Sequence, residues 1–221
     1  MASLEILHLG LQDYEEVWQD MQDYTDHRDD SSPDQIWFLE HNPVFTQGQA
    51  GKAEHLLATG DIPVIQVDRG GQVTYHGPGQ LVAYTLIDIR RLNVSVRCLV
   101  SNLENAVISV LQQYGIDAES DRDRPGVYIT SGVNKGAKIC SVGLRIRRGR
   151  SFHGLAFNIK PDLTPFARIN PCGYAGLEVT SMAECGIDVS LDEVAERLGN
   201  ALSQALGYNT VDMTKQVMSD V

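Results

Sequence analysis

One thiol in this sequence stands where it could react. Cys172 lies in the turn Asn170-Pro171-Cys172-Gly173-Tyr174, inside the Pro/Gly-rich stretch 162–180. A cysteine in a polar loop is open to reagents, and the glycine beside it lets a substrate or a backbone N–H approach closely. A nucleophile and a structural cysteine are both compatible with that setting. Of the four cysteines, Cys98 falls in a predicted helix and Cys140 in a predicted strand, where both read as packing residues. Cys185 precedes a glycine turn and is ambiguous. Lys138 opens the strand Lys138-Ile139-Cys140-Ser141-Val142-Gly143-Leu144. Such a lysine either sits at a sheet edge with its ammonium in water, or is drawn into a pocket where desolvation lowers its pKa and lets it exchange protons near neutrality. His76 and His153 are open to the same division between general base or ligand and hydrogen-bonded structural residue.

The segment RGGQVTYHGPGQ, residues 69–80, has six of its twelve positions occupied by Gly, Pro or His. Backbone bared in this way can line a channel for a thin, extended ligand, or can simply form a tight hairpin. GxGxxG and the GxxxxGK[ST] phosphate loop are both absent, so nothing signals a nucleotide directly. From Arg124 to Pro161 there is no Asp or Glu, yet eight of the 18 basic residues fall there, among them Arg145, Arg147, Arg148 and Arg150. That stretch is either a solvated strand face or a docking surface for an acidic partner.

The elements that must position these residues can be read from periodicity. Residues 4–9 form a strand, and Asp13 with Glu16 has the spacing of a capping box opening a helix. Tyr14, Val17, Trp18, Met21 and Tyr24 recur on that helix at core-facing intervals. Strands follow at 36–41 and, after Asn42-Pro43, at VFTQG. Others lie at 63–68 and on either side of His76-Gly77-Pro78-Gly79. A second helix runs from about Ser95 to Tyr114 on a stripe of Val96, Leu99, Val100, Leu103, Val107 and Leu111, and stops at Gly115. Runs at 126–130, 138–146 and 151–160, separated by short glycine-containing gaps, suggest antiparallel hairpins. Ser190 with Glu193 caps a last helix with Val194, Leu198 and Leu202 inward. Strands in runs with a few long helices, without regular βαβ alternation, place the chain in the α+β class. Residues 1–207 read as one domain, within the size a single core supports, and 208–221 as a weakly patterned, loosely held tail.

Bulk properties narrow the function. The net charge of −11 argues against nucleic acid, and no apolar run reaches the length of a membrane span. The N-terminus has no basic segment and turns acidic at once, so it is not read as a secretory signal. The cysteines show no zinc spacing. The expectation is a cytoplasmic protein with reduced thiols and no membrane partner.

RGGQVTYHGPGQ, the lysine of KICSVGLRI, SFHGLAFNI and INPCGY, in this order and spacing, resemble the lipoyl(octanoyl) transferase family, and EHNPVFTQGQAG (40–51) fits its N-terminal pattern. The resemblance covers residues 4 to about 206. Cys140 stands where the family would lead one to expect alanine or another small residue. The resemblance implies the fold of biotin and lipoate protein ligases, a mixed and largely antiparallel sheet with packed helices. It implies transfer of octanoyl from acyl carrier protein to the lipoyl-domain lysine of 2-oxoacid dehydrogenase complexes and of the glycine cleavage H protein. It makes Cys172 the acyl-thioester nucleophile and Lys138 its acid/base partner. Arg69, Gly70, Gly71, Gln72, Val73, Thr74, Tyr75, His76, Ser141, Val142, Gly143, Gly154, Leu155 and Ala156 then line the acyl pocket. Arg145, Arg147, Arg148 and Arg150 would dock the acidic carrier or acceptor.

The chemistry of such a pair is coherent. A free thiol is only a few per cent thiolate at neutral pH, and a nearby ammonium favours the thiolate. Thiolate formation calls for a charged lysine and proton abstraction for a neutral one, so the two groups titrate as a coupled pair. The thioester is already activated, so neither ATP nor a metal is expected, and the only carrier group involved is the partner's phosphopantetheine. Rival readings are an ATP-dependent lipoate or biotin ligase of the same fold, an amidotransferase moving acyl groups between lipoyl domains, and a silent binding scaffold. RRGR (147–150) faintly resembles a biotin-ligase loop. A ligase needs no cysteine in the PCGY turn, and a scaffold needs neither Cys172 nor Lys138.

Overall fold

The computed structural model describes residues 3–208 and 211–214. In chain order the elements are β1 (Leu4–Gln12), α1 (Tyr14–His27), β2 (Asp34–His41), β3 (Val44–Gln47), β4 (Val64–Gln66), β5 (Val73–His76), β6 (Gln80–Leu86), α2 (Val96–Gln113), β7 (Ala118–Ser120), β8 (Gly126–Ile129), β9 (Lys138–Arg147), β10 (Arg150–Asn158), α3 (Leu191–Leu206) and β11 (Val211–Thr214). Eight strands form one sheet in the order β11-β1-β2-β6-β10-β9-β8-β7, and β4-β3-β5 form a second. The large sheet is antiparallel except where β1 pairs with β2 and β11. This is the α+β arrangement expected from the sequence.

Period-2 alternation supplies two buried faces. Ile36, Phe38, Leu81, Ala83, Leu155 and Phe157 point to the side covered by α2 and α3. Trp37, Leu39, Val82, Tyr84 and Ala156 point to the side covered by α1. Ser95 and Ser190 cap α2 and α3 by accepting from the amides of Cys98 and Glu193. Asp13 precedes α1 without a side-chain cap; its carboxylate instead accepts from Asn42 Nδ2 at 2.6 Å, so the capping-box expectation fails there. Trp18 and Tyr24 are only half-buried, while Tyr14, Val17 and Met21 face the core. Cys98 is exposed, not packed as its helical setting suggested, and Cys140 is buried.

Two departures bear on the site. β5 and β6 do not pair as a hairpin across His76-Gly77-Pro78-Gly79: β5 belongs to the small sheet and β6 to the large one. The Gly-rich segment therefore crosses between sheets. The segment after Gly207 is also partly built in. Tyr208 is buried and donates to Asp34 Oδ2 at 2.6 Å, and β11 extends the sheet beside β1. Asp34, itself fully buried, also pairs with Arg28 Nη2 at 2.6 Å and accepts from the Asp88 amide at 2.7 Å. The rest of the expected 208–221 tail, 209–210 and 215–221, lies outside the described residues.

Candidate active site

Cys172 sits in a 3-10 turn, Pro171–Gly173, with φ 57° and ψ 14°. An L-residue rarely takes this left-handed conformation, at a cost of roughly 1–2 kcal/mol. The turn is held by Gly173 N–H donating to Asn170 O at 2.9 Å and by Asn170 N–H donating to His55 O at 2.9 Å. The loop is pinned at both ends. Leu56 bridges Ile169 on the near side, and Lys138 bridges Val179 on the far side. There Lys138 N–H donates to Glu178 O at 2.9 Å, and Thr180 N–H donates to Lys138 O at 3.0 Å. The loop that carries the thiol thus returns to the backbone of the lysine.

The side chains meet as well. Lys138 Nζ lies 2.9 Å from Cys172 Sγ and 2.9 Å from Pro125 O. Lys138 is 3% exposed, and its ammonium is 5.3 Å from the centroid of the Tyr128 ring. Burial by itself depresses the lysine pKa, but the Cys172 and Tyr128 side chains outweigh it, so Lys138 is held above the ordinary lysine value. Of the two settings open to Lys138 from the sequence it takes the buried one, but the lowering that desolvation alone would bring is overcome, as the expected coupling to Cys172 allows and as Tyr128, which carries no sequence signal, reinforces. The buried Cys140 thiol is pushed far up by desolvation, which keeps it neutral and unreactive.

The pair opens onto a cavity of about 340 Å³, within the size range of small-molecule sites. Arg69, Gly70, Gly71, Gln72, Val73, Thr74, His76, Ser141, Val142, Gly143, Gly154, Leu155 and Ala156 all line it, as do Cys172 and Lys138. Tyr75 does not. It leaves the opposite face of β5 from Thr74 and His76 and packs with Phe45 and Phe166. Half-exposed Val96 and Tyr174 mark the solvent end of the cavity, while buried Tyr14, Tyr84 and His153 mark its inner end. The Gly-rich segment meets β9 directly, with Gly70 N–H donating to Leu144 O at 3.0 Å. A Cβ on Gly143 would stand 3.2 Å from Gly70 O, so a side chain there would push the two cavity walls apart.

The histidines belong to the wall. His76 contacts Thr46 Oγ1 at 3.2 Å and Gln80 Oε1 at 2.7 Å, and His153 Nε2 contacts Asp68 Oδ1 at 2.9 Å. Burial lowers the pKa of both imidazoles. Arg69 is buried and donates to Thr46 and to Gly70 O. Among the arginines of the basic stretch, Arg147 reaches Asp26 at 2.7 Å and Asp68 at 3.5 Å. Arg150 donates to Arg28 O at 2.6 Å and lies 3.5 Å from Asp88. Arg145 donates to Gln49 Oε1 at 3.1 Å, and Arg148 is exposed at the β9–β10 turn. Tyr14, Val96 and Val100, which periodicity places on core-facing helix stripes, line the cavity too, as do Tyr84 and, from the Cys172 turn, Tyr174; periodicity marks a residue as inward-facing but carries no sign that it faces a cavity.

The profile of the lipoyl protein ligase A/B catalytic domain matches residues 13–203. The octanoyltransferase of Shewanella amazonensis is 59% identical over 206 residues, covering 93% of this chain and 93% of that protein. The octanoyltransferase of Vibrio atlanticus is 59% identical over 210 residues, covering 95% and 94%. Among solved structures, a bipartite lipoate protein ligase of Thermoplasma acidophilum superposes with a TM-score of 0.73 at 19% identity, over 100% of this chain and 89% of that one. A biotin protein ligase of Aquifex aeolicus superposes with a TM-score of 0.58 at 14% identity, over 92% and 70%. At these identities the structural matches speak to the fold. No helix among the described residues is long and apolar enough to cross a membrane.

Proposed function

The chain belongs to the lipoyl protein ligase A/B catalytic-domain family, among its octanoyltransferases, and from there we propose that it moves octanoyl from acyl carrier protein to a lipoyl-domain lysine through a thioester on Cys172. It is an acyltransferase. The observation that carries the route is the 2.9 Å approach of Lys138 Nζ to Cys172 Sγ where the cavity meets solvent.

The protons balance through Lys138. The cycle begins when the Cys172 proton has passed to Lys138 across their 2.9 Å contact, so that a thiolate faces an ammonium. The thiolate attacks the incoming thioester carbonyl, the bond from Sγ to the acyl carbon forms, and the bond to the phosphopantetheine sulfur breaks. The departing thiolate takes its proton from Lys138. Acylation also removes the charge on Sγ, one of the two side-chain contributions that oppose desolvation, so the buried lysine gives up its proton more readily. The neutral amine then accepts a proton from the acceptor lysine as that nitrogen attacks the acyl-enzyme. Cys172 leaves as thiolate and the ion pair is restored. Such acid–base work contributes about 10²–10⁴-fold. The octanoyl tail in the cavity keeps water from the thioester during this interval.

The reading places the enzyme in the cytoplasm, where carrier protein and 2-oxoacid dehydrogenase and glycine cleavage H-protein acceptors meet, and calls for neither ATP nor metal. The test is transfer from octanoyl carrier protein to an isolated lipoyl domain in the absence of ATP. Full transfer is expected, and a strict ATP requirement would move the chain to the ligases. Arg147 and Arg150 pair with the chain's own carboxylates, whereas Arg145 reaches the neutral Gln49 side chain and Arg148 is exposed, which leaves these two as the arms most able to meet an acidic carrier. Arg145→Glu combined with Arg148→Glu is expected to raise the apparent KM for carrier protein several-fold at low salt while kcat holds. An unchanged KM at low salt would remove this surface from the docking role.

A further inference from the structure

Helix α2 buries an apolar face made of Leu99, Leu103, Ala106, Val107, Val110 and Leu111, and in the middle of it lies Glu104, 5% exposed. A carboxyl on such a face loses hydration and is costly unless it is hydrogen-bonded. Its partner is the backbone amide of Gly126, which donates to Glu104 Oε1 at 2.8 Å. Burial accordingly raises the pKa of Glu104. The choice of Gly126 as partner links this helix to the reacting pair. Gly126 follows Pro125, whose carbonyl accepts from Lys138 Nζ at 2.9 Å. Gly126 also has φ +137°, and a Cβ added to it would collide with Lys138 Cε. One peptide therefore lies against the lysine from two sides: its carbonyl holds the ammonium, and its bare α-carbon makes room for the stem. Glu104 fixes that peptide.

We propose that Glu104 is a positioning residue for octanoyl transfer: by holding the Gly126 amide it aims the Pro125 carbonyl, which in turn holds Lys138 Nζ against Cys172 Sγ. The inference rests on the proposed thioester route. What Glu104 supplies is an acceptor at a fixed distance, and a displacement near 1 Å at a reacting group can cost about 10²-fold in rate. Without the acceptor, the Arg124–Gly126 turn relaxes and the ammonium no longer meets the sulfur.

Three variants separate the contributions. Glu104→Gln keeps an acceptor at the same reach and removes the charge. Glu104→Asp keeps the charge and withdraws the acceptor by about one carbon–carbon bond, ~1.5 Å. Glu104→Leu removes both and matches the apolar face. The readout is the rate of acyl-enzyme formation from octanoyl carrier protein, followed by mass spectrometry as a function of pH, with thermal melting alongside. Glu104→Gln is expected within threefold of wild type. Glu104→Asp and Glu104→Leu are expected at least tenfold slower, with the midpoint of the pH profile moved upward, little change in KM for carrier protein, and the rate loss persisting after correction for folded fraction. A purely structural role would lower the amplitude and leave the midpoint in place, and that result would overturn the proposal. So would Glu104→Asp at wild-type rate, or Glu104→Gln as slow as Glu104→Asp. If wild type itself forms no adduct on Cys172, the thioester route fails. If it does, and Glu104→Asp matches it, only the positioning role fails.

Discussion

Lys138→Met is expected to slow octanoyl transfer by about 10³-fold at neutral pH while leaving the protein folded, the mid-range of general acid–base contributions. Methionine keeps the unbranched stem in its buried track beside Gly126 and removes only the ammonium. Three things vanish with it: the counter-ion 2.9 Å from Cys172 Sγ, the acid that protonates the departing phosphopantetheine thiolate, and the base that deprotonates the acceptor amine. Stability should hold, since the desolvation cost of a buried cation disappears along with its hydrogen bond to Pro125 O. Initial rates with octanoyl carrier protein and lipoyl domain, set beside a melting curve, provide the check. A variant within tenfold of wild type would leave Lys138 without a part in the reaction.

Asp34→Ala carries the largest expected loss of stability, about 3–5 kcal/mol, the cost of removing one partner from a buried ion pair. Asp34 is completely buried and binds Arg28 Nη2 at 2.6 Å, the Tyr208 hydroxyl at 2.6 Å and the Asp88 amide at 2.7 Å. Arg28 is 5% exposed, so truncating Asp34 strands a guanidinium in the core. Urea unfolding should show the midpoint falling with an unchanged slope. Tyr208→Phe keeps the ring in the core and removes only one hydrogen bond, so it should cost about 1 kcal/mol. A loss below about 1 kcal/mol in Asp34→Ala would mean that water reaches this cluster and screens it.

The Tyr208 contact also shows why the segment after Gly207 carries so little local signal. Four residues of β11 carry too little pattern to distinguish a strand from a tail. The residue that fixes the segment does so through a hydroxyl meeting a carboxylate from near the other end of the chain. Long periodic elements were legible: α2 and α3 begin at serines whose side chains close the first turn, and β8, β9 and β10 pair antiparallel as their short gaps implied. The Gly-rich segment was legible as a motif but not as a crossing, because two short strand runs around Gly-Pro-Gly look alike whether they pair with each other or enter different sheets. Cys172 and Lys138 stood out by type and setting, and the family resemblance paired them. Their mutual distance depends on the bridge between Lys138 and Val179, which has no local signal. Glu104 was invisible for the same reason. It interrupts an apolar stripe, and only the position of Gly126 explains the interruption.

Acyl transfer through Cys172 is the claim from which the roles of Lys138, Glu104 and the cavity follow. It is tested most directly by intact mass spectrometry of the enzyme mixed with octanoyl carrier protein in the absence of acceptor. One octanoyl adduct is expected on the wild-type chain, released by hydroxylamine and absent from Cys172→Ser. An unmodified wild-type chain that still transfers octanoyl to a lipoyl domain, or an adduct that persists in Cys172→Ser, would contradict it.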